Sequence, residues 1–398
     1  MKESRAATPR KMLVISPAAF ISSLAIGTVN LGLLFIIKDL YGASASQIGW
    51  LGALWSIAYF VGCFVFKKLT ARLTPRLSMG LMQAGSALIL TGFLLRPGLW
   101  QAFAAIIAYG FITAFFWPPL MGWLSRGAET TALSRATSQF NLSWSLGSVA
   151  SPWLAGLLAE RGKFLPVAAA IVFFAGNALY ILVSRLFIKD DEEQLGRGPA
   201  ARAGQIDRST PLRFPAWLGI VLTYMVVGVS LNVFPVFARD VLKMSESATG
   251  FVLTLRALTT MITFGLLGRY HFWQFRRRLL PFISILMAGL LLALVFVSSS
   301  LSYMIGFGLF GVLMAVTYNN SLFYATSGAL DRDKRVNAHE TLLTFGSVTG
   351  SVSGGVLYQG LSLPVVFIML ASLLGLGAVA QMAMLRRSGR TNAGPPVT

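Results

Sequence analysis

Cysteine, histidine, acid and charge in general are scarce in this sequence. Cys63 is the one cysteine and lies inside an apolar run, so there is no intramolecular disulfide and no thiolate metal cluster. Two histidines do not make a metal site. Charged residues make up 12% of the chain, against about 25% in a soluble domain. A soluble protein of 398 residues would need much more polar surface. No Gly-x4-Gly-Lys-Ser/Thr loop is present, so ATP-driven work is not supported. No nucleophile is paired with a base, no spacing suits a metal, and no catalytic residue is assigned, which argues against an enzyme. No soluble domain large enough for sensing is present.

Apolar sequence fills the space instead, at 55% of residues. A membrane-spanning helix needs about 20 such residues. The runs predict spans at 12–37, 47–66, 77–95, 100–124, 137–159 and 164–188. A second set follows at 215–237, 247–267, two spans within 279–330 that break near Ser298, and two within 341–385 that break at Gly360 to Pro364. The one long polar segment away from the termini is 189–214, with Asp190, Asp191, Glu192 and Glu193 followed by scattered arginines, glycines and prolines. Its composition predicts a flexible linker. The expected organisation is therefore a first six-helix bundle at 1–188, a linker at 189–214, and a second six-helix bundle at 215–398.

The formal charge of +19 does not point to nucleic acid, because Lys and Arg concentrate in alternate loops. Lys67, Lys68, Arg72 and Arg76 share one loop and Arg269, Arg276, Arg277 and Arg278 another, while the two breaks near Ser298 and Leu361 carry none. That alternation is the positive-inside pattern and places both termini in the cytoplasm. The basic start of the chain precedes an apolar run too long for a signal-peptide core, so it is expected to remain as the first span.

The two halves also repeat each other. Lys38-Asp39-Leu40 followed by Ser46-Gln47-Ile48-Gly49 matches Arg239-Asp240-Val241 followed by Ser247-Ala248-Thr249-Gly250, and Gly147-Ser148-Val149 matches Gly346-Ser347-Val348. The offset stays at about 200 residues throughout. Six spans return the chain to its starting side, so these are parallel repeats, with a site expected between them near the midplane.

Twelve spans as six plus six, a long central cytoplasmic loop, and basic loops after the second and eighth spans resemble the major facilitator superfamily. The family's loop signature, Gly-x-Leu-Ala-Asp-Arg-x-Gly-Arg-Arg, is met here by Leu69, Arg72 and Arg76, without its glycines and aspartate. The resemblance implies an all-α fold of two pseudo-symmetric six-helix bundles, and Arg72 and Arg76 as gating residues. On the fifth span, Gly147-x3-Ser151-Pro152-x2-Ala155-Gly156 resembles the family's antiporter motif, which relatives associate with drug efflux. Close helix packing accounts for the same small residues.

Arg256 is the sharpest single feature. It lies about 13 Å along its helix from the outer end, close to the middle of a hydrocarbon core about 30 Å thick. A charge there must face water, a partner or a ligand. It is expected to attract an anionic group of the substrate; the alternative is a structural arginine bonded to carbonyls, hydroxyls and water. Trp55 aligns with it across the repeat and is, like Asn141 on the fifth span, a further candidate substrate contact. Glu340, about one turn into the eleventh span and aligned with Asn141, is the candidate proton-coupling group; the alternative is an anchoring contact near the cytoplasmic mouth. Asn30, Asn232, Asn319, Trp117, Tyr224 and Tyr318 lie on helices that line the pathway in the family, which makes them candidate substrate contacts, though each singly also fits packing. Pro118, Pro119 and Pro235 are expected to interrupt the fourth and seventh helices.

The sequence thus reads as a monomeric inner-membrane secondary transporter. It would move a small organic solute by alternating access, driven by an ion gradient, here protons, with no cofactor, no metal and no nucleic acid. Export comes first. Uptake of an anionic metabolite, movement of a lipid-like amphiphile and a non-transporting membrane receptor are the alternatives.

Overall fold

The computed structural model describes residues 10–125, 130–188, 209–270, 272–330 and 332–391. Most of the expected linker, 189–208, lies outside the described residues. Helices account for nearly all of the rest, and no β-strand occurs among the described residues.

The helices run α1 (Met12–Asp39), α2 (Ala45–Val65), α3 (Lys67–Thr70), α4 (Pro75–Leu95), α5 (Leu99–Ile112), α6 (Trp117–Ser125), α7 (Thr130–Arg161) and α8 (Leu165–Phe187). They continue as α9 (Arg213–Asn232), α10 (Phe234–Asp240), α11 (Glu246–Arg269), α12 (Leu279–Val295), α13 (Ser300–Thr326), α14 (Arg332–Gly360) and α15 (Leu363–Thr391). Among the described residues, nine helical segments have the length and composition to cross a membrane, and Leu279–Val295 is a shorter apolar helix. The long helices α7 and α14 are richer in Ser, Thr, Gly and charge.

Prolines set the interruptions. A short 3₁₀ turn at Thr113–Phe115 separates α5 from α6, which puts Pro118 and Pro119 in the first turn of α6. Pro235 likewise falls at the start of α10. A proline is tolerated there because the first N–H groups of a helix have no partner inside it. The basic segment after α2 is not all loop: Lys67–Thr70 form one helical turn.

Contacts divide the chain into two compact units. One comprises Met1–Ala43, Leu54–Pro199 and Ser245–Thr254; the other comprises Ser44–Ala53, Ala200–Met244 and Leu255–Thr398. Each unit therefore includes the opening turns of one helix whose remainder belongs to the other.

In the first unit α1 packs along α7 and α8, and α4 along α8. In the second, α9 packs along α14 and α15, and α12 along α15. The repeat read from sequence is thus a repeat of packing. Lipid tails are as apolar as leucine, so helix association here rests on close approach and on buried polar bonds. A Cβ on Gly147 would run into the Phe20 carbonyl, and one on Gly350 into that of Met225. Each unit also pins three helices with amides. Asn177 Nδ2 donates to the Ala18 carbonyl at 3.1 Å and to Ser22 Oγ at 3.3 Å, and Gln83 Nε2 also donates to Ser22 Oγ. In the second unit Gln381 Nε2 donates to the Pro215 carbonyl at 2.8 Å, and Ser284 Oγ donates to Gln381 Oε1 at 3.0 Å.

Candidate functional site

Arg256 lies on α11 in the second unit, and its backbone is fixed before its side chain is considered. Thr260 Oγ1 donates to the Arg256 carbonyl at 2.8 Å and to the Gly311 carbonyl at 3.0 Å. Thr259 Oγ1 reaches the Arg256 carbonyl at 3.0 Å and the Gly308 carbonyl at 2.8 Å. Gly308 and Gly311 face α11 from α13, and a Cβ at Gly311 would strike the Arg256 carbonyl. The two threonines and the two glycines lock α11 against α13 at the level of the arginine.

The side chain is 9% exposed. Its Nη1 donates to Met314 Sδ at 3.2 Å, and its Nε is buried without a hydrogen-bond partner. Among the described residues no carboxylate pairs with it. A thioether is a weak acceptor, so the cation is poorly matched by the protein.

Tyr224 on α9 connects this charge to a second one. It is close enough to feel both Arg256 and Glu340, and Tyr318 on α13 feels Glu340 and Tyr224. Tyr318 also packs on Phe264 at 5.4 Å and on His339 at 4.9 Å between ring centres. His339 is fully buried, shares a 2.9 Å hydrogen bond with Ser321 through Nδ1, and leaves Nε2 unpartnered. Glu340 is exposed. Because α14 begins at Arg332, Glu340 sits about two turns inside the helix rather than one. The charged stretch before Thr341 is helical, which apolar content alone does not signal. Asn319, half-buried, lies on α13 next to Tyr318.

Asn232 stands apart from this group. Its Nδ2 donates to Ser351 Oγ at 2.9 Å and to the Gly228 carbonyl at 3.1 Å, and its side chain fills the space beside Gly52. These bonds hold α9 to α14.

The first unit carries the aromatic counterpart. Tyr109 donates to Asn30 Oδ1 at 3.4 Å, and Trp55 lies 6.1 Å from Tyr109 and stacks on Tyr59 at 5.9 Å. Trp117 meets Phe140 edge-on at 6.2 Å. Asn141 is exposed, and its Oδ1 accepts from Trp144 Nε1 at 3.2 Å. Arg72 and Arg76 differ sharply. Arg72 is exposed, whereas Arg76 is 1% exposed, donates to the Ile188 carbonyl at 2.7 Å and stacks 5.1 Å from the Trp123 ring centre. Among the described residues no group of three His, Cys, Asp or Glu side chains converges.

Sequence reasoning missed a charged cluster in the first unit. Lys163, in the turn between α7 and α8, bonds Asp39 of α1 at 2.5 Å and also bonds Glu246 at the start of α11. Partial burial alone would lower the Lys163 pKa, but the bonds and charges of the two carboxylates outweigh it, and the net direction is upward. The missing signal was distance: these residues are far apart in the chain.

The comparisons agree on class. The sequence profile of the Major Facilitator Superfamily matches residues 15–335. A quinolone resistance transporter of Acinetobacter baumannii is 33% identical over 143 residues, which is 35% of this chain and 32% of that protein. The match thus spans about a third of that relative's length. Two solved structures share the fold at low identity. A bacterial homolog of the human lysosomal transporter Spinster, inward-facing and unoccupied, is 12% identical over 96% of both chains with a TM-score of 0.68. A POT family transporter in complex with a thioalcohol-conjugated peptide is 12% identical over 95% of this chain and 96% of that one, with a TM-score of 0.77. At such identities the likeness concerns the fold alone. With a profile that matches most of its length, the chain belongs to the Major Facilitator Superfamily and is a multi-pass membrane transporter.

Proposed function

We propose that the protein is a proton-coupled secondary transporter that exports a small organic solute across the inner membrane. Both termini would be cytoplasmic, the chain would act as a monomer, and the two six-helix bundles, 1–188 and 215–398 joined by 189–214, would alternate access to a central site. The observation that carries the reading is the presence, in one unit, of an under-satisfied buried arginine and an exposed carboxylate. Arg256 and Glu340 both act on Tyr224, and they lie on different helices of one unit. One group suits solute binding and the other proton exchange. Tyr224, Tyr318 and Asn319 would complete the solute contacts from this unit, and Asn30, Trp55, Trp117 and Asn141 would contribute from the first. Asn232, bonded into α9 and α14, would act on the site through helix position.

Export, rather than uptake, is favoured by the likeness to a quinolone resistance transporter over part of the chain. The test is substrate flux in proteoliposomes under an imposed proton gradient. Acid inside the vesicle should drive uptake of an exported solute by inside-out protein, and Glu340→Gln should abolish the dependence on the gradient while leaving solute exchange intact. Gradient-driven flux unchanged in Glu340→Gln would reject the coupling role, and flux with no response to any gradient would reject secondary transport. Uptake of an anionic metabolite is the second reading, favoured by Arg256. Accumulation of such a solute in cells expressing the protein would select it over export.

A further inference from the structure

We infer that the solute held at Arg256 is a monoanion with a carboxylate or sulfonate on an aromatic or apolar body. This rests on the transporter reading above and names its substrate class.

The guanidinium itself sets the geometry. Its Nη1 is occupied by the Met314 sulfur, while the Nε and Nη2 edge meets no protein acceptor and Nε is buried. That edge presents two parallel N–H donors, the fork that two oxygens of one oxyanion accept together. A lone cation deep in a membrane protein is expensive, and a weak sulfur acceptor offsets little of the cost. An oxyanion that reaches this edge would gain charge-assisted hydrogen bonds, and at Nε the donor is already shielded from water. Thr259 and Thr260 hold the arginine's own carbonyl, which fixes the backbone from which the side chain extends.

The surroundings limit charge and shape. Glu340 directly follows His339, whose ring packs 4.9 Å from that of Tyr318, so a second negative charge on a solute lying against Tyr318 would meet repulsion there. A cationic solute would meet Arg256. Phe264 follows Arg256 by about two turns of α11, and its ring packs on Tyr318, a pair that suits an aromatic or apolar body.

The test uses purified protein in detergent, with binding read by thermal shift and calorimetry at fixed pH and ionic strength. The probes are benzoate, benzenesulfonate, phthalate, benzyl alcohol, benzylamine and dodecyl phosphate. Benzoate and benzenesulfonate should stabilise the wild type, and phthalate, benzyl alcohol and benzylamine should do so weakly or not at all. Arg256→Lys keeps the charge but loses the fork, and should weaken benzoate binding roughly tenfold or more. Arg256→Gln should lose it. Unliganded Arg256→Gln should melt no lower than the wild type, because it removes an under-matched charge; if it fails to fold, Arg256→Lys alone decides.

Equal stabilisation by benzyl alcohol or benzylamine, a benzoate shift unchanged in Arg256→Lys, or no shift with any small anion would overturn the inference. Stabilisation by dodecyl phosphate alone would also overturn it, in favour of a lipid headgroup. The two readings fail separately. Arg256-dependent benzoate binding without flux in proteoliposomes keeps the anion site and rejects transport; flux of a neutral or cationic solute unaffected by Arg256→Lys does the reverse.

Discussion

The starts of α2 and α11 solve one geometric problem with two chemistries. Each helix begins where a partner helix comes close, and the first N–H groups of a helix need acceptors. In the second unit Ser44 and Gln47 form a reciprocal box, Ser44 N donating to Gln47 Oε1 at 2.9 Å and Gln47 N to Ser44 Oγ at 3.3 Å. Gln359 of α14 then accepts from Ser46 N at 3.3 Å. In the first unit Ser245 caps α11 by accepting from Ala248 N at 3.2 Å, and Glu160 of α7 accepts from Ser247 N at 3.0 Å. Glutamate stands where the other unit has glutamine, and Lys163 adds its bonds to Asp39 and Glu246. The backbones approach alike, since a Cβ on Gly156 would meet Glu246 and Ser247 and one on Gly355 would meet Ala45 and Ser46. Backbone geometry is thus shared by the repeat, while charge has been placed on one copy.

That contrast can be tested from its largest consequence downward. Gly156→Leu and Gly355→Leu should each destabilise the purified protein by about 2–3 kcal/mol, because the obstructing atoms are backbone and cannot swing aside. A variant pair with unequal, small effects in thermal melts would break the shared-geometry half of the comparison. Lys163→Met should cost about 1–2 kcal/mol, since it removes an ion-pair partner of Glu246, which is 5% exposed. Replacing Ser362, which aligns with Lys163, should change the melting temperature little, and a large drop would deny the asymmetry.

The pH dependence follows from the sign of the Lys163 shift. Its pKa is raised in the folded protein, so its contribution is complete below the unfolded lysine value of about 10.4 and is lost as pH rises through the higher folded value. The stability gap between wild type and Lys163→Met should therefore be constant through neutral pH and close on the alkaline side. A gap that closes near neutral pH would assign the effect to another group. The smallest change is expected for Gln359→Ala, about 0.5–1 kcal/mol for one neutral hydrogen bond, with no response to salt; Glu160→Ala should respond to salt slightly.

Arg256 and Trp55 extend the same lesson to the middle of the chain. They align in the repeat, yet Trp55 lies among Tyr59 and Tyr109, while Arg256 finds a sulfur. A charge inside an apolar run is visible in any sequence, so Arg256 was legible as a candidate. Its unused donor edge was not, because that depends on where Met314 points. Glu340 was legible as an acid near an apolar run, but its depth in α14 was misjudged, since helix continues back through charged residues to Arg332. Asn232 read as a pathway amide, and its bond to Ser351 across a long stretch of chain makes it a packing residue as well. The amide pins at Asn177 and Gln381 gave no sequence signal, because polar residues in apolar runs look alike until their partners are known.

The sequence by itself determined the class, the helical runs, the repeat and the alternation of basic loops. Those features follow from one-dimensional rules: a bilayer fixes the length and polarity of a span, and duplication leaves a constant offset. Only the tertiary structure decided that each unit takes the opening turns of one helix from the other half of the chain, that Lys163 joins two carboxylates, and that Arg256 lacks an oxygen acceptor. These depend on which side chains meet across helices, and a lone sequence does not encode distance between residues so far apart.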